Sequence, residues 1–315
     1  MPSLIFALVV GFPLVGLCAE TSGWQPAPGH TQVPIWPGRV PDARPGTEPE
    51  TATTVSEHRY VAGRPWVSVS PVSQPTMTVY SPEGKNTGVA VVVFPGGGYW
   101  VLAIDLEGTE VCDWLTSKGI TAVLLKYRVP GHPQKAPRSG PYPDSPEALE
   151  DAQRAVGLVR FHADEWHIDP HKIGVLGFSA GGHLVAAMST HFEQRLYKPV
   201  DDADKESCRP DFAVALYPGH LGITADSIEL NPDIRTHITA QTPPTFLLQN
   251  EDDHVDWVED SLSYYMALKK AGVPVEMHLY AQGGHGFGLR KTKYPATEWP
   301  SLVEKWLTTI EMISE

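Results

Sequence analysis

Short unbroken apolar runs recur along this chain and alternate with stretches in which apolar residues return every three or four positions. Val89–Phe94, Ile120–Leu125, Lys172–Phe178, Phe212–Tyr217, Pro244–Gln249 and Val275–Tyr280 are of the first kind. In the first five, branched residues and a near-complete lack of polar alternation predict buried strands, and Val275–Tyr280 reads as the last strand. Glu107–Lys118 carries Val111, Trp114 and Leu115 on one stripe and ends at Gly119, and Pro146 opens a longer periodic stretch to about Trp166. Ser179–Met188 and the segment bearing Val258, Leu262, Tyr265 and Met266 complete the set of predicted helices. Thr76–Tyr80 alternates and stops at Ser81-Pro82, which predicts an edge strand feeding a turn. Strand and helix therefore alternate, the signature of an α/β fold with a mostly parallel central sheet covered by helices on both faces.

The interruptions divide the chain. Leu4–Leu17 is almost wholly apolar, the length of a signal-peptide core and shorter than the ~20 residues of a membrane span. Residues 1–19 are read as an export signal cut after Ala19; a lipoprotein signal with Cys18 lipidated is the lesser reading. Residues 20–70 hold a proline-rich stretch, Trp24–Pro49, in which neither helix nor central strand persists. Ile35-Trp36-Pro37 gives this arm something to dock with, and residues 71–315 are read as the α/β domain on which it packs. Tyr127–Pro146, Glu193–Pro210 and Leu221–Thr242 read as surface segments, the last as a lid or a wall of the site. Cys112 and Cys208 are open to pairing or to staying as buried thiols. The net charge of -13, with no basic cluster, argues against nucleic acid as a partner.

Chemistry concentrates where strands end. Gly177-Phe178-Ser179-Ala180-Gly181 lies between a predicted strand and a predicted helix, the setting of a nucleophile elbow. A turn that tight needs neighbours without bulk, and Gly177 and Gly181 supply them. Pro95-Gly96-Gly97-Gly98-Tyr99 follows another core strand, and glycines there leave backbone N–H groups open to a developing oxyanion. Gly97, Gly98 and Ala180 are the candidate oxyanion-hole residues.

A serine hydroxyl needs an imidazole to take its proton, and the imidazole needs a carboxylate to hold its tautomer. His285 lies on the glycine-flanked loop after the last strand. Asp252 and Asp253 both follow the penultimate strand; Asp253 fits the usual distance to the next helix better and is taken as the acid. Ser179, Asp253 and His285 then stand in the chain order of an α/β-hydrolase. His183 on the elbow helix reads as a packed or helix-facing residue, His278 inside a strand as a surface or core position, and Asp151 and Arg154 as helix-surface or helix-to-loop ion pairs. Tyr99, Trp100 and His220 are candidates for contact with substrate.

Phe94–Tyr99, Gly177–His183, Glu251–Val255 and Gly283–Gly288, with Trp36-Pro37 and Tyr127–Pro130, resemble the acetylxylan-esterase-like branch of the α/β-hydrolases. Two positions depart from relatives: Pro95 replaces the histidine of the lipase H-G-G-G motif, and Asp256-Trp257 stands where relatives usually carry Val-Pro. The resemblance implies deacetylation of plant polysaccharide, chiefly O-acetyl groups on xylan, by a secreted enzyme. The residues alone imply acyl transfer to water through a serine ester, with no metal or organic cofactor. A feruloyl or other small-acyl esterase, an amidase or peptidase on the same sheet, and a catalytically dead binding protein are the rival readings.

Overall fold

A computed structural model describes residues 23–43, 48–131, 140–224 and 227–314. The proposed export signal lies outside the described residues. Among the described residues no helix is long and apolar enough to cross a membrane.

In chain order the elements are β1 (Gln32–Pro34), β2 (Thr51–Thr54), β3 (Val67–Ser70), β4 (Thr76–Tyr80), β5 (Ala90–Phe94), β6 (Leu102–Ala103), α1 (Glu110–Ser117), β7 (Thr121–Lys126), α2 (Glu147–Phe161), β8 (Ile173–Phe178), α3 (Ala180–Thr190), β9 (Phe212–Leu216), α4 (Pro232–His237), β10 (Thr245–Asn250), α5 (Val258–Lys270), β11 (Val275–Tyr280) and α6 (Trp299–Thr309). An eight-stranded sheet in the order β1-β4-β7-β5-β8-β9-β10-β11 forms the centre. Its strands from β7 to β11 are parallel, and β4 and β1 add antiparallel at one side. Every residue of β5, β7, β8, β9 and β10 is buried, as continuous apolar runs require when helices cover both faces. Parallel register brings the carboxyl ends of the central strands to one edge, with Phe94 opposite Gly177 and Phe178 opposite Leu216. That edge carries the site.

Several expected boundaries shift. Thr76–Tyr80 is not an edge strand, because β1 pairs along its open side from Gln32↔Thr78 to Pro34↔Thr76. A strand of three residues with a terminal proline carries too little pattern to announce itself. The helix expected from Glu107 begins at Glu110, preceded by a wide π-type turn over Asp105–Thr109 that turns Glu107 into the interior. The helix expected to reach Trp166 stops at Phe161.

Asp151 and Arg154 are correctly paired with loops but are not on the surface. Both are buried, and they bind the N-terminal arm to α2. Asp151 accepts from the Trp36 indole at 2.9 Å and from the Arg128 backbone and guanidinium at 2.9 to 3.0 Å. Arg154 donates to the Ile35 carbonyl at 2.9 Å and forks onto the carboxylate of Asp201, at 2.7 Å to one of its oxygens. A charged residue at helical spacing is ordinarily solvated; here Trp36, at 4% exposure, covers the pair and changes its surroundings. Cys112 and Cys208 are unpaired buried thiols.

Replacing Asp151 with Ala leaves the Trp36 N–H without its acceptor and takes from the buried Arg128 guanidinium one of its two carboxylate partners, with Glu150 remaining at 2.8 Å. We expect a loss of about 3–5 kcal/mol, the usual penalty for removing one partner of a buried pair, read as a lower urea midpoint.

Candidate active site

The site begins with a packing constraint. A Cβ added at Gly177 would lie 2.2 Å from the Gly181 carbonyl oxygen, and one at Gly181 would lie 2.1 Å from that of Phe94. Strand β8 therefore passes into α3 against the end of β5 only because neither residue has a side chain. Ser179 takes the bend, at φ 52° and ψ -123°, a conformation that costs a non-glycine residue of order 1–3 kcal/mol. Its N–H donates to the Leu216 carbonyl at 3.0 Å, so β9 holds the bend in place.

Gly96–Gly98 lie across from it. Gly97 and Gly98 have φ of 134° and 63°, and a Cβ on Gly97 would meet the Val101 carbonyl oxygen at 2.0 Å. The loop is pinned from both sides: the Tyr127 hydroxyl donates to the Pro95 carbonyl at 2.6 Å, and Gly96 N–H donates to Glu107 Oε2 at 2.9 Å. The N–H groups of Gly97, Gly98 and Ala180 have no hydrogen-bond acceptor among the described residues.

Residues 250–256 decide which carboxylate goes where. His285 Nδ1 lies 2.7 Å from Asp253 Oδ2. A carboxylate accepts, so Nδ1 carries the proton and Nε2 faces the nucleophile side. Asp252 turns instead to the backbone of the histidine loop, accepting from Gly283 and Gly284 N–H at 2.8 Å each. Asp253 Oδ1 accepts from Val255 and Asp256 N–H at 2.9 and 3.1 Å, and this tight wrap folds Asp256 back toward the elbow.

Asp256 was not foreseen as part of the site. The Ser179 hydroxyl donates to Asp256 Oδ2 at 3.0 Å, and His285 Nε2 lies 3.6 Å from the same oxygen. The serine's hydrogen bond thus runs to Asp256, not to His285, and the carboxylate bridges the two. Its fit is close: a Cβ on Gly219 would come within 2.1 Å of Asp256 Oδ1. The only signal in the sequence was its standing where relatives carry valine.

Glu107 is the second unforeseen carboxylate. It is buried beneath the glycine loop and accepts from the Tyr217 hydroxyl at 2.8 Å. That hydroxyl in turn accepts from Gly288 N–H at 3.1 Å, while the Tyr217 ring lies 4.9 Å from that of His285. One network therefore fixes both the glycine loop and the histidine loop.

These carboxylates set the titration of the site. For His285, burial alone lowers the pKa, but the hydrogen bond and charge of Asp253, then the charges of Asp256 and Glu107, outweigh it and the net is upward. Asp256 is pushed up by burial, against the charges of His285 and His220 and the bond from Ser179. Burial likewise raises Glu107.

Of the residues expected at the substrate, Tyr99 is buried with its hydroxyl 2.8 Å from His183 Nδ1, so that hydroxyl is directed into the protein. His183 is wholly buried on α3, its pKa held well below the ordinary value chiefly by burial. His220 is exposed, with its ring 5.8 Å from that of Tyr99. Trp100 is half-buried beside Gly98, 3.6 Å from where a Cβ would stand. His278 stacks on Phe246 and pairs with Glu276 at 2.8 Å, away from the serine.

A model of the alpha/beta hydrolase fold matches residues 91–289. The acetylxylan esterase of Xylanibacter ruminicola is 31% identical over 224 residues, covering 67% of this chain and 43% of that protein. The endo-1,4-beta-xylanase B of Butyrivibrio fibrisolvens is 28% identical over 225 residues, covering 65% of this chain and 33% of its own length. The chain thus spans less than half the length of either relative. Among solved structures, the acetyl ester-xyloside bifunctional hydrolase of Caldicellulosiruptor lactoaceticus superposes with a TM-score of 0.72 at 34% identity, covering 90% of this chain and 97% of that one. With a family match across most of the chain, the same parallel sheet and a serine at the elbow, the chain belongs to the alpha/beta hydrolase fold family.

Proposed function

We propose that this protein is a serine esterase that removes O-acetyl groups from xylan or xylo-oligosaccharides through an acyl-enzyme. The observation that carries the reading is Ser179, strained at the elbow beside free backbone amides and within one carboxylate oxygen of a histidine clamped by Asp253. The substrate class is supported by likeness to an acetylxylan esterase and to an acetyl ester-xyloside hydrolase.

In this mechanism the Ser179 hydroxyl turns from Asp256 to His285 Nε2, which takes its proton as Oγ attacks the ester carbonyl. The N–H groups of Ala180 and of Gly97 or Gly98 receive the oxyanion. His285 then protonates the departing sugar oxygen, and water activated by the same imidazole releases acetate. Asp253 and Asp256 together offset the imidazolium charge. The Ser179–Asp256 bond also favours a second reading, in which Asp256 itself takes the serine proton.

Export before action on polysaccharide is part of the proposal, supported by the apolar run Leu4–Leu17. N-terminal sequencing of protein recovered outside the cytoplasm should then begin at Glu20; an intact Met1 on that protein contradicts export by cleavage.

Ser179→Ala should lower acetate release from acetylated xylan by roughly 10⁴-fold or more with an unchanged urea midpoint. Activity near that of the parent removes the serine mechanism. Ferulate release from methyl ferulate exceeding acetate release would move the substrate to the feruloyl class.

Asp256→Asn separates the two readings of the base. Losing a negative charge beside the imidazolium lowers the His285 pKa, and the imidazole must be neutral to accept a proton. The acid limb of kcat/KM should therefore shift to lower pH while turnover persists. Abolished turnover would instead identify Asp256 as the proton acceptor.

A further inference from the structure

We propose that His191, Asp233 and His237 form a zinc-class metal site that clamps α4 to the far end of the elbow helix, separate from the serine chemistry. His191 is the residue at which α3 ends, and Asp233 and His237 lie four apart on the short helix α4, a spacing that puts both on one face. One ligand atom from each falls within 4.8 Å of the others. His191 Nε2 and Asp233 Oδ2 stand 3.3 Å apart, about the separation of two ligands around a tetrahedral Zn²⁺ with bonds of ~2.0–2.1 Å.

The protonation pattern suits a cation. His191 Nδ1 lies 3.0 Å from the Ala187 carbonyl, which only accepts, so the ring proton sits on Nδ1 and Nε2 presents its lone pair. His237 Nδ1 lies 2.6 Å from the Asp233 carbonyl, which fixes its tautomer the same way. His191 is 7% exposed, and neither its Nε2 nor Asp233 Oδ2 has a hydrogen-bond donor among the described residues. Two shielded acceptors facing each other repel unless a proton or a metal cation lies between them. Two imidazoles and a carboxylate match Zn²⁺, and His237, being exposed, leaves a fourth position to water. The clamp would hold α4, which follows His220 in the chain, to the helix that Ser179 begins.

The test uses the untagged full chain, stripped with EDTA and desalted. Titration with ZnCl₂ by calorimetry should give one equivalent, and CoCl₂ should give the visible absorption of tetrahedral Co²⁺. His237→Ala and Asp233→Asn should each weaken Zn²⁺ binding by more than the roughly 10–100-fold that loss of an outer-shell partner causes. His162→Ala, away from the cluster, should leave it unchanged. Zn²⁺ should raise the melting temperature of the parent and not of His237→Ala, whose exposed position spares the fold. Absence of a one-equivalent binding event, or equal affinity in parent and both cluster variants, overturns the proposal.

Discussion

Backbone crowding where β8 turns into α3 sets the geometry of this protein's site. Gly177 and Gly181 allow two backbone segments and the end of β5 to meet at distances that no Cβ tolerates. That crossing forces Ser179 to a positive φ, points its hydroxyl out of the sheet edge, and sets the first amide of α3 beside the glycine loop. Burial of β5, β8 and β9 on both faces supplies the energy that holds the bend, since apolar burial worth ~25 cal/mol per Å² over these strands exceeds a strain of a few kcal/mol. The placement of Ser179 is thus a consequence of core packing.

Around that point the protein gathers negative charge. Asp253, Asp256 and Glu107 all act on His285, and each is buried. Burial makes charged carboxylates costly, and the structure answers with specific partners: loop amides and the imidazole for Asp253, the serine hydroxyl for Asp256, a tyrosine and a glycine amide for Glu107. The arrangement favours an imidazolium, which is the charge the proposed acyl transfer creates at His285. Asp256 has a double effect, since it attracts the imidazolium and also holds the serine hydroxyl in the resting arrangement.

The centre of the sheet was legible because its strands β5, β7, β8, β9 and β10 are wholly buried, and a run such as Val89–Phe94 admits few other structures. The elbow was legible for the same local reason: its glycines, strand and helix are contiguous in sequence. What escaped depends on contacts between distant segments. The pairing of β1 on β4, the burial of Asp151 under Trp36, and the inward turn of Glu107 each join residues far apart in the chain, and local periodicity holds no record of them. The choice between Asp252 and Asp253 turned on one residue of register; in the structure Asp253 bonds the following turn and His285, and Asp252 bonds the backbone of Gly283 and Gly284. Asp256 was visible only as a departure from relatives; that wrapped turn is what brings it under Ser179.

Covalent capture is the most direct test of the central claim, that a packing-enforced bend presents one activated hydroxyl to an ester. Incubation with an alkyl p-nitrophenyl phosphonate, followed by peptide mass spectrometry, should place a single adduct on Ser179, formed faster as pH rises through the ionisation of His285. A folded protein that takes no adduct, or takes it elsewhere while Ser179 stays unmodified, would contradict the account.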